Sequence, residues 1–279
     1  MEQAYAHCVA LVREADRDRY LANLLIPEPA RTEAFALYAF NVEVVAVRER
    51  VREPLAGEIR LQWWRDVLAG TAAGDAERNP VAAALIETVE RRRLPRDLLI
   101  ALIDAHRFDV YDEGMPSLGA LEEYMRATSS ALFDLVARLL DDRSSAAAGE
   151  AAGIAYGITG LLRAFPVHAS RGQVYLPADL LEQTGTQTEH ILAGTDTPAL
   201  RAALSAMRGW ASSRLSEAER QLAGVSAAAR PGYLPLALIR GYLSLMERPD
   251  YAPFRTPVER PQWRRQWTLW RAARRVPYR

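Results

Sequence analysis

The sequence predicts an all-α fold, a single domain of about eight to ten helices. Three observations point to it. Apolar residues recur at helical spacing along nearly the whole chain, and no segment alternates apolar and polar residues between turn signals. One long segment, from Ala30 to about Val51, is apolar on most sides through Phe35, Leu37, Tyr38, Phe40, Val42, Val44 and Val45, as suits a helix enclosed by other helices. Prolines and glycines fall at helix-length intervals, with no internal repeat and no stretch composed like an inter-domain linker.

In chain order, residues 3–18 read as a short amphipathic helix, and the apolar continuation from Arg19 to Ile26 stops at Pro27-Glu28-Pro29. The long buried helix follows, and Pro54 ends that unit. Glu58 to Gly70 is a further helix with Leu61, Trp64 and Leu68 on one face. Asn79-Pro80 marks the start of a helix over residues 80–93, whose last turn holds Arg91-Arg92-Arg93, cations that suit a helix C-terminus. Pro95 opens the next helix, to about Glu113, before the turn Gly114-Met115-Pro116-Ser117. Residues 118–140 are helical, and Asp141 to Ala148 is a polar connection of small residues. A helix from Ile154 ends or kinks at Pro166, where a backbone donor is lost. Short helices near 177–184 and after Gln187, a long one over 197–224 and another from Pro231 to Met246 complete a body spanning residues 1–253. Residues 254–279 are a basic tail rich in tryptophan and arginine.

Composition narrows the function. With 279 residues and 49% hydrophobic side chains, the chain can bury a large core. A formal net charge of +0 gives no reason to expect nucleic acid as a partner. All 35 basic side chains are arginine, which fits GC-rich coding better than a chemical requirement. The lone cysteine, Cys8, fits a reducing compartment. No leader sequence and no apolar run of membrane-spanning length is visible, so a cytoplasmic location is expected.

The stretch Ile154 to Pro177 is the most informative. Ile154, Ile158, Leu161 and Phe165 form one helical face, and Gly153, Gly157 and Gly160 form another, which implies close approach of a neighbouring helix or a ligand. Arg163 projects near the glycine face. A polar loop from His168 to Gln173 leads to Val174-Tyr175-Leu176-Pro177. Leu162-Arg163 followed by Val174-Tyr175-Leu176-Pro177 resembles the second signature of the squalene/phytoene synthase family. Arg19-Tyr20-Leu21-Ala22 up to Pro27, then Arg31 and Leu37-Tyr38-Ala39-Phe40, resembles that family's first segment, and Arg60-Leu61-Gln62-Trp63-Trp64-Arg65 its Arg-Leu-x-x-Trp helix. Asp109 to Asp112 and Tyr124 to Ser130 match more weakly. In order and spacing the resemblance covers roughly residues 15–250. It implies an isoprenoid synthase-type helical bundle with a central cavity.

The chain departs from the family where the chemistry sits. Binding diphosphates through Mg²⁺ requires carboxylates from two facing helices. The positions of the family's aspartates fall here on Val45, Glu49, Ala164 and His168. Valine and alanine cannot hold a hard cation, and a neutral histidine prefers softer metals. Glu43 is offset by two residues on the helix. Departures of this kind resemble a non-catalytic subgroup, the mitochondrial complex I assembly factor of this superfamily and its bacterial relatives, in Phe40-Asn41-Val42-Glu43 and in Leu162 to His168. That resemblance implies a catalytically silent protein, without cofactor or metal, that supports assembly of respiratory complex I (NADH:quinone oxidoreductase). Its partners would be complex I subunits or assembly intermediates. Two alternatives stay open, a Mg-dependent prenyl transferase condensing isoprenoid diphosphates at an altered metal site, and a carrier of an isoprenoid or other lipid. An open apolar tunnel would favour these two, and a filled core the first reading.

The residual pocket is expected to include Tyr38, Glu43, Glu49, Arg163, His168, Arg171 and Tyr175, with Arg163 pairing with Glu43 or Glu49 across the helices. The histidines at 7, 106, 168 and 190 lack metal-binding spacing, Ser129-Ser130 with His106 does not read as a nucleophile and base, and Trp63-Trp64 reads as core. In the tail, Trp263, Trp267 and Trp270 share one helical face, with Arg264, Arg265, Arg271, Arg274 and Arg275 mostly around them. This pattern suits an anionic membrane surface, at the inner face of the inner membrane, or an acidic partner. The plainer alternative packs the tryptophans on the domain and leaves the arginines solvated.

Overall fold

Helix-terminal chemistry and apolar stripes set the architecture of the computed structural model, which describes residues 1–51, 53–111, 113–142 and 147–274. Asp112, Arg275 and residues 143–146 of the 141–148 connection lie outside the described residues. The first half holds α1 (Glu2–Ala15), α2 (Arg17–Asn23), α3 (Ala30–Val45), α4 (Val47–Arg50), α5 (Pro54–Ala69), α6 (Ala73–Arg78), α7 (Pro80–Arg92), α8 (Arg96–Ala105) and α9 (Arg107–Val110). The second half holds α10 (Leu118–Met125), a π turn (Arg126–Ser130), α11 (Ala131–Leu140), α12 (Ala147–Ser170), α13 (Ala178–Thr184), α14 (Thr188–Leu192) and α15 (Pro198–Gln221). A short and a longer 3₁₀ segment (Leu222–Gly224 and Arg230–Leu238), α16 (Ile239–Met246) and α17 (Gln262–Arg274) close the chain, and no strand occurs among the described residues.

Capping explains several starts. The side chains of Asp16, Asn79, Ser117 and Thr197 accept from orphan backbone donors of α2, α7, α10 and α15. Pro80 and Pro198 stand in first turns, where a missing N–H costs nothing. Gly70, at φ 82°, closes α5 in the left-handed conformation that glycine adopts without strain. Two breaks fall inside predicted helices: Ala46 separates α3 from α4, and His106 separates α8 from α9. The segment read as one helix over residues 118–140 contains the π turn. α6 was not expected from the sequence.

The apolar residues gather into two clusters. One joins α1, α3, α5, α7 and α8 through Phe35, Phe40, Leu61, Leu85 and Leu102. The other joins α12, α15 and α16 through Ile154, Ile158, Leu204, Leu215 and Ile239. α11 serves both, turning Leu132 and Leu135 to the first cluster and Phe133 and Ala137 to the second. Trp64 packs edge-on against Phe40 at 5.1 Å and against Trp63 at 4.9 Å, so the tryptophan pair belongs to the core.

α12 corrects one expectation. Of the two outcomes expected at Pro166, an end or a kink, the end does not occur, since α12 runs through it to Ser170. A proline inside a helix costs about 3 kcal/mol. Leu162, Phe165 and Ala169 are buried on either side of it, so apolar burial keeps both halves on the core. The helix stops where Gly172 adopts φ 80° and Gln173 N–H donates to His168 O at 2.9 Å.

Candidate functional site

The glycine face of α12 decides where the interior stays open. A Cβ on Gly153 would lie 2.2 Å from the Ser130 backbone, and one on Gly157 would lie 2.2 Å from Met125 Sδ. These two glycines therefore admit the π turn. Gly160 has nothing within 4 Å of its Cβ position and faces a cavity of about 660 Å³. Close helix approach and an open space thus both occur, one after the other along the same face. The cavity wall is built by the C-terminal end of α1, α2, the C-terminal end of α3, α4, α9, the C-terminal end of α10, the π turn, α12, α16 and α17.

Val45, Glu49, Ala164 and His168 all line this cavity, at the four positions where the sequence comparison places carboxylates. Glu49 forms an ion pair with Arg171 at an exposed position. Among the described residues, no group of three or more His, Cys, Asp or Glu side chains is placed to hold a metal ion. The donors present do not fit Mg²⁺, which takes oxygen ligands in a near-octahedral shell. The cavity is open, yet it is not an apolar tunnel, because charged pairs cross its wall.

Of the expected pocket residues, Glu49, Arg163, His168, Arg171 and Tyr175 line the cavity, and Tyr38 and Glu43 do not. Tyr38 lies buried behind Arg19, whose guanidinium carbon is 5.6 Å from the ring centroid. Burial pushes its phenol up to about 12, against the opposing pull of Arg19. Glu43 is turned to Arg50, with contacts of 2.6 and 3.1 Å. The expected pairing of Arg163 with Glu43 or Glu49 is also replaced: Arg163 Nη1 donates to Asp18 Oδ2 at 2.9 Å. Both glutamates are taken by other arginines, Glu43 by Arg50 of α4 and Glu49 by Arg171 just after α12, and α2 brings Asp18 to α12.

Two polar clusters organise the wall. At the first, buried Asp18 accepts from Arg163 and from Arg265 Nη1 at 2.9 Å each, and from Tyr242 OH at 2.7 Å. The Arg163 guanidinium lies over the Tyr242 ring at 3.8 Å. Burial raises the Tyr242 phenol, so it stays a donor, with Arg163 opposing the shift and Asp18 adding to it. Beside this cluster, Arg19 pairs with Asp16 at 3.1 Å and lies 4.7 Å over the Tyr156 ring.

At the second cluster, Asp109 accepts from His106 Nδ1 at 2.5 Å, from Tyr124 OH at 2.8 Å and from Tyr175 OH at 2.7 Å. Burial first, and then the Asp109 charge, keeps both phenols protonated. His106 Nε2 is buried with no hydrogen-bond partner among the described residues. The His168 ring packs on Tyr175 with centroids 4.8 Å apart, and burial lowers its pKa. Ser130 Oγ donates to Glu150 O at 2.9 Å while His106 is engaged by Asp109, so the serine and histidine form no nucleophile–base pair.

Asp18, Arg19, Asp109, Tyr124, Tyr156, Tyr242 and Arg265 were not identified as site residues from the sequence. Arg19, Asp109 and Tyr124 lie in segments that show the family resemblance, so a signal existed for them. Asp18 lies in an alternating run of acids and arginines that resembles a solvated helix start. Tyr242 sits within a plain apolar helix.

The tail places its tryptophans outward. α17 buries Leu269 and Ala273, and Arg265 points inward to Asp18. Trp263, Trp267 and Trp270 are 63%, 55% and 38% exposed, so none of the three is buried in the core. Trp267 and Trp270 stack at 4.9 Å, Arg274 lies 3.9 Å over Trp270, and Arg264 lies 5.1 Å over Trp263. Arg271 is exposed on the same helix. Arg264 and Arg274 thus share the tryptophan face.

Comparison with known proteins places these features in context. Residues 12–271 match the model of the squalene/phytoene synthase family. The chain is 31% identical over 258 residues to the NADH dehydrogenase (ubiquinone) complex I assembly factor 6 of Rattus norvegicus, covering 92% of this chain and 78% of the relative. It is 26% identical over 284 residues to a 15-cis-phytoene synthase of Synechococcus elongatus, covering 96% and 92%. A dehydrosqualene synthase crystal structure superposes with a TM-score of 0.84 at 18% identity, covering 99% of this chain and 97% of that one, which shows a shared fold.

Proposed function

Because the chain belongs to the squalene/phytoene synthase family, we propose that it is a catalytically silent member that supports assembly of respiratory complex I. The observation that bears this reading is the cavity wall. Val45 and Ala164 stand where metal-binding carboxylates would be needed, and Glu49 is engaged by Arg171. Without oxygen ligands on two facing helices, the leaving diphosphate of a prenyl substrate would have no Mg²⁺ to neutralise it. The similarity to complex I assembly factor 6, with most of both chains aligned, supports the same conclusion. The partners in this reading are complex I subunits or assembly intermediates.

The open volume of about 660 Å³ favours one companion reading, a small isoprenoid or other lipid held without chemistry. The exposed tryptophan–arginine face of α17 adds a peripheral location on an anionic membrane. No helix among the described residues is long and apolar enough to cross a bilayer.

Two measurements test the proposal. Deleting the coding sequence in its host is expected to lower NADH:quinone oxidoreductase activity and the amount of assembled complex in native gels, with restoration by the intact protein. Titration with a non-hydrolysable farnesyl diphosphate analogue is expected to show no Mg²⁺-dependent binding. Normal complex I levels in the deletion strain, or Mg²⁺-dependent binding followed by turnover, would overturn the assignment.

A further inference from the structure

The Asp18 cluster has the form of an anion-recognition site. Arg163 from α12, Tyr242 from α16 and Arg265 from α17 aim three donors at one point on the cavity wall. Helices from distant parts of the chain converge there, and the Asp18 side chain that occupies the point is 4% exposed. Two guanidiniums and a phenol face a single carboxylate, and the site is not saturated, because Arg265 Nε is buried with no hydrogen-bond partner among the described residues. A buried donor left over beside two cations is hydrogen-bonding capacity that the one carboxylate does not meet.

We propose that Asp18 is a built-in anion, which fills a phosphate-recognition site with the chain's own carboxylate and so makes the native cavity reject phosphate esters. The ligand class the site would otherwise take is an inorganic or organic pyrophosphate, whose oxygens can meet both guanidiniums, the Tyr242 hydroxyl and the free Arg265 Nε–H. With Asp18 in place, an entering anion meets cations already paired and a like charge at their centre. This deepens the reading of the cavity as catalytically silent and rests on it.

The test is calorimetric titration of the full-length protein with inorganic pyrophosphate, in chelator and at low ionic strength. The native protein, Asp18→Asn, Asp18→Ala and the double variant Asp18→Asn with Arg265→Gln are compared. The native protein is expected to give no saturable heat, Asp18→Asn and Asp18→Ala to bind at least about tenfold more tightly, and the double variant to lose that gain. Thermal melts with pyrophosphate or chloride at matched ionic strength give the same comparison for a variant too unstable for calorimetry, because a ligand that binds only the folded state raises Tm. A purely structural ion pair would produce destabilised variants with no pyrophosphate response, and that result overturns the proposal. Equal metal-free binding by the native protein also overturns it while leaving the silent-member reading intact. Mg²⁺-dependent binding by the native protein strikes that underlying reading instead.

Discussion

At the scale of single residues, the wall of the cavity shows how substitutions of modest size redirect a site. His168 occupies a position where the family resemblance calls for a carboxylate, and it packs on Tyr175 with its pKa lowered by burial. The unfolded chain therefore binds a proton at His168 more readily than the folded chain near and below pH 6.5, the ordinary histidine value. Stability attributable to this group is present above that pH and is lost as pH falls toward its lowered folded pKa. Urea midpoints at pH 7.5 and 5.5 are expected to differ less in His168→Gln than in the native protein, and an unchanged difference would remove His168 from this account. Arg171 and Glu49 pair across the rim, where solvent screens them, so either substitution alone is expected to shift stability by under about 1 kcal/mol.

At the scale of elements, α12 is where local and tertiary preferences conflict. Four glycines and an internal proline make it a poor helix in isolation. Close approach of the π turn at Gly153 and Gly157 makes it the central element of the fold. Gly153→Ala would force a methyl group to 2.2 Å from the Ser130 backbone. It is expected to cost about 3 kcal/mol or prevent folding, as overpacking against backbone does. Gly160→Ala faces open space, and it is expected to stabilise by about 0.5–1 kcal/mol through the better helix propensity of alanine. Chemical denaturation of the two variants checks the contrast, and similar effects at both positions would refute it. The glycine spacing was legible in the sequence. Which glycine meets a helix and which meets a cavity was not, because that depends on where α10 and α11 break into a π turn.

At the scale of the whole molecule, two apolar clusters joined by α11 support a cavity whose wall is drawn from both halves of the chain. α17 completes that wall with Arg265 and presents its tryptophans to the exterior. Sedimentation with vesicles tests the peripheral-membrane reading. Retention is expected on anionic but not on zwitterionic vesicles, to weaken with salt, and to fall at least about tenfold when Trp263, Trp267 and Trp270 are all replaced by alanine. Equal retention of the native and triple-variant proteins would end that reading and leave an acidic protein partner for the same face.

The sequence by itself determined that this chain is all-helical, which family it resembles, and that carboxylates are missing at Val45, Ala164 and His168. These properties are local or additive: apolar spacing, capping residues and residue identity at fixed intervals are legible without coordinates. Only the tertiary structure decided which charges meet. Arg163 found Asp18 and not the glutamates expected for it, and Asp109 gathered His106, Tyr124 and Tyr175. It also decided that Pro166 lies within a helix and that the tail tryptophans face outward. Ion pairs and burial depend on distances between segments far apart in the chain, and those are fixed by packing of the whole fold rather than by any local pattern.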